Sequence, residues 1–226
     1  VAEDGSGMVL DINGSTPVVT SVAGPGPNRI WSTGTVLADG KMVVTGGSAV
    51  ANGLVDTAFT AMIWDPKANQ WTVGAAAQNP RLYHSTALLL PDATVLSAGG
   101  GSPGPVINLN AEVYSPPYLF DSTGQPAARP IINTAPAQVT LGAAFGITVA
   151  SSKPIQKITL VRMGSVTHSN NFGQRFLELP FTQAAGDPNV HIQITESPNI
   201  LPLGHYMLFA IDSAGVMTGS AAAVAN

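Results

Sequence analysis

The sequence predicts an all-β protein, with blades of a β-propeller in its first half and an immunoglobulin-like β-sandwich after them. Three observations lead there. The chain's 24 glycines and 18 prolines among 226 residues favour many turns over long helices. A motif returns in the first half after 52 to 53 residues. The second half shows short, alternating strand patterns with no repeat.

Composition removes several function classes. Charged residues make up 10% of the chain, against the ~25% of an ordinary soluble domain. The net charge is −4 with no cluster of Lys or Arg, so nucleic acid is not an expected partner. No apolar run approaches the ~18 residues that a membrane-spanning helix needs. The absence of cysteine excludes disulfides, zinc thiolates and a cysteine nucleophile within the chain. Val1-Ala2-Glu3-Asp4 carries neither an initiator Met nor a signal-peptide pattern. It runs straight into Gly7–Gly14, a strand ending in a turn, so the chain is expected to begin inside a fold after processing or truncation.

The repeat is explicit. Arg29-Ile30-Trp31-Ser32-Thr33, the turn Asp39-Gly40 and the pair Gly46-Gly47 return as Arg81-Leu82-Tyr83-His84-Ser85, Asp92-Ala93 and Gly99-Gly100. The offset is 52 at the arginine and 53 at the turn, which places one inserted residue near Tyr83 and His84. Each copy reads as a hairpin whose second strand ends in glycines that tolerate positive φ. Outer strands follow in the first copy at Ala58–Trp64 and Gln70–Val73, where Trp64 and Trp71 read as packing aromatics. Asn108–Pro116 takes the place of the first outer strand in the second copy. This period fits the kelch repeat, roughly 50 residues per four-stranded blade. A propeller closes with about 4–8 blades. Two blades and a remnant over residues 1–27 do not close one, so the remaining blades are expected from another chain or a lost N-terminal segment.

The expected divisions are propeller blades over 1–121, a linker over 122–130 and the sandwich over 131–226. Gln138–Leu141, Ala144–Val149, Lys157–Arg162, His191–Ile194 and Tyr206–Ile211 read as the sandwich strands.

Titratable side chains are few. His191 lies in an alternating strand and His205 at a strand start, where both read as surface or packing residues. Tyr83 and His84 stand at the mouth of an inner strand. Adjacent strand residues point to opposite faces, so this pair shares a metal only at a strand end or bulge; simple packing is the alternative. His168 lies in the polar stretch Gly164–Arg175, read as a loop. Imidazole nitrogen with phenolate oxygen suits copper(II). No carboxylate pair, phosphate loop or Ser/His/Asp array competes.

Four segments together resemble the galactose oxidase and glyoxal oxidase family of copper radical oxidases. They are Arg81–Ser85 with Leu88–Asp92 and Gly99–Gly101; Ala111–Leu119; Thr167-His168 with Asn171 and Gln174-Arg175; and Gly204–Phe209 with Ser213–Val216. The resemblance covers nearly the whole chain and assigns it to the C-terminal blades and sandwich. It departs at Gly173, His205 and Met217, where the family carries an Asp, an aromatic and a Pro. It implies a secreted or cell-surface oxidase, expected to be bacterial, that converts a primary alcohol, aldehyde or carbohydrate and reduces O₂ to H₂O₂. By the same resemblance Tyr83 is a copper ligand and catalytic proton acceptor, and His84 and His168 are copper ligands. Trp31 is a candidate for the substrate pocket, with simple packing the alternative. The family's Cys-Tyr radical cofactor is expected from an upstream segment. The alternative is a non-catalytic kelch module that binds a glycan or protein and retains a copper-binding site.

Overall fold

Aspartate-led turns and glycine pairs set the strand boundaries of the first half. The computed structural model describes residues 6–226, so the reading of Val1–Asp4 lies outside it. β1 (Gly7–Asp11) and β2 (Val18–Val22) form an antiparallel hairpin. β3 (Thr33–Val36), β4 (Met42–Thr45), β5 (Thr60–Asp65) and β6 (Gln70–Ala76) build a four-stranded antiparallel sheet in that order. β7 (Thr86–Leu89), β8 (Val95–Ala98) and β9 (Ala111–Tyr114) repeat its first three strands. At the two hairpin turns, Asp39 Oδ1 accepts the Lys41 N–H and Asp92 Oδ1 accepts the Thr94 N–H. Gly46 and Gly100 have φ of 71° and 101°. A Cβ at either would collide with the segment Arg81–Leu82, so only glycine admits that close approach.

The copies differ at their outer edge. β6 has no counterpart beside β9 among the described residues. The β1–β2 hairpin echoes β5–β6 instead, since Asp11 and Asp65 each accept the N–H two residues on in the hairpin turn. Met8, Leu10, Ile12, Val18 and Val19 are exposed on and beside this hairpin. None of the described sheets closes on itself.

The second half begins after a short 3-10 turn at Pro117–Leu119. Its strands are β10 (Ile131–Thr134), β11 (Gln138–Val139), β12 (Ala144–Ala150), β13 (Ile155–Arg162), β14 (Ser165–Thr167), β15 (Asn170–Phe172), β16 (Phe176–Leu179), β17 (Phe181–Thr182), β18 (Asn189–Gln193), β19 (Gly204–Asp212) and β20 (Ala221–Ala225). One sheet has the order β10-β12-β18-β17 and a second the order β11-β20-β19-β13-β16. Ile147, Val149, Val190 and Ile192 of the first meet Ile158, Leu160, Tyr206 and Leu208 of the second in one core.

The run Tyr206–Ile211 explains how the two halves are joined. Successive strand residues face opposite ways. Tyr206, Leu208 and Ala210 enter the sandwich core. Met207, Phe209 and Ile211 enter a second core with Leu37, Val43 and Ile63 of the four-stranded sheet and Ala87 and Val95 of the three-stranded one. A strand apolar on both faces is buried on both. Fully burying a side chain the size of Phe209 contributes about 2 kcal/mol. Thr159 Oγ1 also donates to Ala38 O at 2.8 Å across this boundary.

One segment departs from the sequence reading, and the expected linker gains specific anchors. Asp121 Oδ1 accepts the Thr123 and Gln125 N–H groups in a turn. Arg129 then donates to Met217 O and Thr218 O. The stretch Gly164–Arg175, read as a loop, contains the β14–β15 hairpin. Its turn residues His168 and Ser169 have φ of 54° and 61°, the left-handed pair of a tight two-residue hairpin turn. No described helix is long and apolar enough to cross a membrane, which leaves β-barrel crossing unaddressed.

Candidate metal centre

The inserted residue near Tyr83 does not lengthen the turn but sets it one residue further from its arginine. In the first copy Arg29 opens a tight turn, with the Ser32 N–H donating to Arg29 O at 3.0 Å. In the second the turn opens one residue after Arg81, and the Ser85 N–H donates to Leu82 O at 2.9 Å. Trp31 and His84 hold the corresponding turn position, at φ of 64° and 65°. Tyr83 and His84 therefore lie in a turn before β7, outside the strict alternation of a strand. Their rings stack with centroids 3.8 Å apart. Left-handed backbone at a bulky residue costs of order 1–3 kcal/mol and collects at functional sites.

His168 reaches the same place from the other half of the chain. Gln174 works as a surrogate strand along β3, accepting the Val36 N–H at 2.7 Å and donating to Gly34 O at 2.9 Å. Asn171 Nδ2 donates to Ala87 O of β7 at 3.1 Å. At the hairpin tip the buried Ser169 hydroxyl donates to Leu82 O at 3.1 Å, the carbonyl that also closes the Tyr83–His84 turn. The His168 ring centroid then lies 4.9 Å from that of His84 and 5.7 Å from that of Tyr83. Trp31 is 4.5 Å from Tyr83 by the same measure. Trp31 and His168 border a hollow of about 470 Å³ whose wall includes Met42, Val44 and Phe172.

Both imidazoles are occupied at Nδ1. His84 Nδ1 is 2.9 Å from Ser102 O, and a carbonyl only accepts, so this nitrogen carries the proton and Nε2 keeps its lone pair. His168 Nδ1 is 2.6 Å from Thr167 Oγ1. A phenol oxygen with two imidazoles held at Nδ1 is a donor set that fits copper(II), with the outer partners such ligands require. No cluster of three His, Cys, Asp or Glu side chains suited to a metal occurs among the described residues. The tyrosine is thus essential to any three-residue site here.

His191 and His205 are exposed on β18 and β19, in line with their reading as surface residues. The roles of Ser102, Ser169, Asn171 and Gln174 in building the centre were not read from the sequence. The signal available was a polar stretch, Gly164–Arg175, in a chain otherwise poor in polar side chains.

Residues 129–224 match the galactose oxidase-like, early set domain family. The chain is 34% identical over 197 residues to a galactose oxidase of Gibberella zeae, an alignment covering 83% of this chain and 28% of that protein. It is 35% identical over 148 residues to the aldehyde oxidase GLOX of Vitis pseudoreticulata, covering 59% of this chain and 28% of that protein. Among solved structures it resembles a fungal alcohol oxidase of the AA5 family in complex with copper. That likeness has a TM-score of 0.90 at 29% identity, over 99% of this chain and 48% of the other. The relatives are fungal and plant proteins, so the expected bacterial source finds no support among them.

Proposed function

We propose, on the premise that this chain belongs to the galactose oxidase and glyoxal oxidase family as a C-terminal portion, that it is part of a copper-dependent oxidase acting on a primary alcohol or aldehyde. The observation that carries the reading is the meeting of Tyr83, His84 and His168, with ring centroids between 3.8 and 5.7 Å apart. In this reading residues 1–121 are kelch propeller blades, 122–130 the connection and 131–226 an immunoglobulin-like domain. The partners are the remaining blades and a small alcohol, aldehyde or carbohydrate. The exposed apolar face of β1–β2 and the open edge of β9 support further blades, because such surfaces otherwise associate. The setting is secreted or cell-surface.

His84 and His168 would present Nε2 to the metal, and Tyr83 would present its phenolic oxygen. Copper would supply Lewis-acid polarisation of the substrate oxygen and one redox equivalent, the second coming from a Cys-Tyr radical group outside this cysteine-free chain. Tyr83 would take the proton of the substrate hydroxyl as general base. Trp31, packed on Tyr83 and bordering the hollow, positions the substrate and keeps water from that ring. The overall change converts a primary alcohol and O₂ to an aldehyde and H₂O₂.

The test is a peroxide assay on the full-length protein after copper loading, with galactose, glyoxal and simple primary alcohols. Copper-dependent H₂O₂ from at least one, lost in Tyr83→Phe, is expected. No peroxide from any, together with copper-independent binding of a glycan or protein, would establish the binding-module reading in its place.

A further inference from the structure

We propose that Thr167 is a positioning residue for His168, holding the ring so that Nε2 faces Tyr83 and His84. This rests on the reading of those three side chains as copper ligands. The backbone of His168 is already fixed on both sides. Ser169 anchors the hairpin tip to Leu82 O, and Asn170 Nδ2 donates to the His168 carbonyl at 3.1 Å. The freedom left is rotation of an exposed ring. Among the described residues, the Thr167 hydroxyl at 2.6 Å is the one hydrogen-bond partner of that ring.

The two histidines are held by different chemistry. Ser102 O, a pure acceptor, dictates the proton position on His84. A hydroxyl can donate or accept, so at Thr167 the arrangement compatible with a metal at Nε2 is Nδ1–H donating to Oγ1. Imidazole free in water favours the proton on Nε2. In the proposed arrangement Thr167 Oγ1 accepts from Nδ1–H and so keeps Nε2 open before a metal arrives, which is the role of an outer partner to a metal-binding histidine.

The experiment uses the full-length protein, labelled with ¹⁵N-histidine and stripped of metal. Long-range ¹H–¹⁵N spectra at mildly alkaline pH read which ring nitrogen of His168 carries the proton. Wild type and Thr167→Ser are expected to show it on Nδ1, and Thr167→Val on Nε2, with circular dichroism unchanged because residue 167 is exposed. In a Cu²⁺ competition titration Thr167→Val should bind about 10-fold more weakly, and Thr167→Ser close to wild type. A wild-type His168 protonated on Nε2 would overturn the proposal, as would a Val variant with unchanged tautomer and affinity. The expected tautomers in a wild type that binds no Cu²⁺ would support the hold on the ring and overturn the copper-ligand reading.

Discussion

The turn Arg29–Ser32 and the turn Leu82–Ser85 are two versions of one device, equal in length but set differently against their arginines. Arg29 is the first residue of its turn and Arg81 stands one residue ahead of its own. Each buried guanidinium donates to the carbonyl of the first glycine of its pair, Gly46 O at 3.2 Å in one and Gly99 O at 3.1 Å in the other. In the first copy the left-handed position holds Trp31, which packs on Tyr83. In the second that position holds His84, whose ring stacks on the neighbouring Tyr83. The shift by one residue changes which side chains the turn presents, while the strands behind it keep their register.

The sharpest way to break the comparison is to remove the extra residue. Deleting Leu82 leaves Arg81-Tyr83-His84-Ser85, the spacing of the first copy with both ligand candidates kept. The full-length protein should still fold, by circular dichroism and thermal melting, and should lose Cu²⁺ binding in a competition titration. Retained binding would show that the extra residue is not what assembles the site.

The arginines differ in a second way, which gives the next largest effect. Arg81 Nη2 pairs with Glu112 Oε2 at 2.7 Å, and the Glu112 carboxylate also accepts the Gln78 N–H at 2.6 Å. Arg29 donates its second nitrogen to Thr60 O at 2.8 Å and has no carboxylate within ion-pair reach among the described residues. Arg81→Ala should destabilise by about 3 kcal/mol, because it removes a buried guanidinium with its bonds to Gly99 O and Asn110 O as well as its pair with Glu112. Arg29→Ala should cost about 2 kcal/mol for lost charged hydrogen bonds. Denaturant midpoints of the two variants check the order.

Much of this scaffold is legible in the sequence, because turns and strand ends use residues with strong local preferences. Asp39-Gly40, Asp92-Ala93 and the glycine pairs mark every inner hairpin, and Tyr206–Ile211 announces a strand. The centre is less legible. His168-Ser169 is not one of the Asn-Gly pairs that signal a tight hairpin turn. The side-chain amide of Gln174 substitutes for a backbone partner along β3, a role that no local pattern encodes. The apolar run of β19 is equally compatible with one buried face or two, and the second face becomes visible only when the core containing Phe209 is assembled. The 122–130 segment has linker composition, yet Asp121 and Arg129 hold it through bonds to distant or backbone partners.

Acid should erase the contrast between the arginines. Burial alone would raise the pKa of Glu112, but the Gln78 N–H and the Arg81 charge and hydrogen bond outweigh it and hold the carboxyl below its ordinary 4.5. A depressed folded value means that the stabilisation is complete above the unfolded value and is lost as pH falls through the folded one. The melting temperature should therefore fall below about pH 4.5 in wild type, and Glu112→Gln should flatten that acid limb. An unchanged limb would remove Glu112 from the account of the second copy.

The smallest effect is expected where the repeats meet the sandwich through solvent. Lys67 Nζ reaches Glu178 Oε2 at 3.4 Å from a largely exposed side chain. Lys67→Ala should change stability by about 0.5 kcal/mol or less and fade with added salt. A larger loss would mean that this ion pair, rather than the core around Phe209, joins the two halves.

The central claim is that Tyr83, His84 and His168 hold one copper ion. Electron paramagnetic resonance on the full-length protein loaded with one equivalent of Cu²⁺ tests it most directly, with His84→Ala and His168→Ala measured alongside. The account predicts a tetragonal Cu²⁺ signal with superhyperfine splitting from two nitrogens, each variant losing one nitrogen and binding copper more weakly. A copper signal identical in wild type and both variants would place the metal elsewhere and contradict the account.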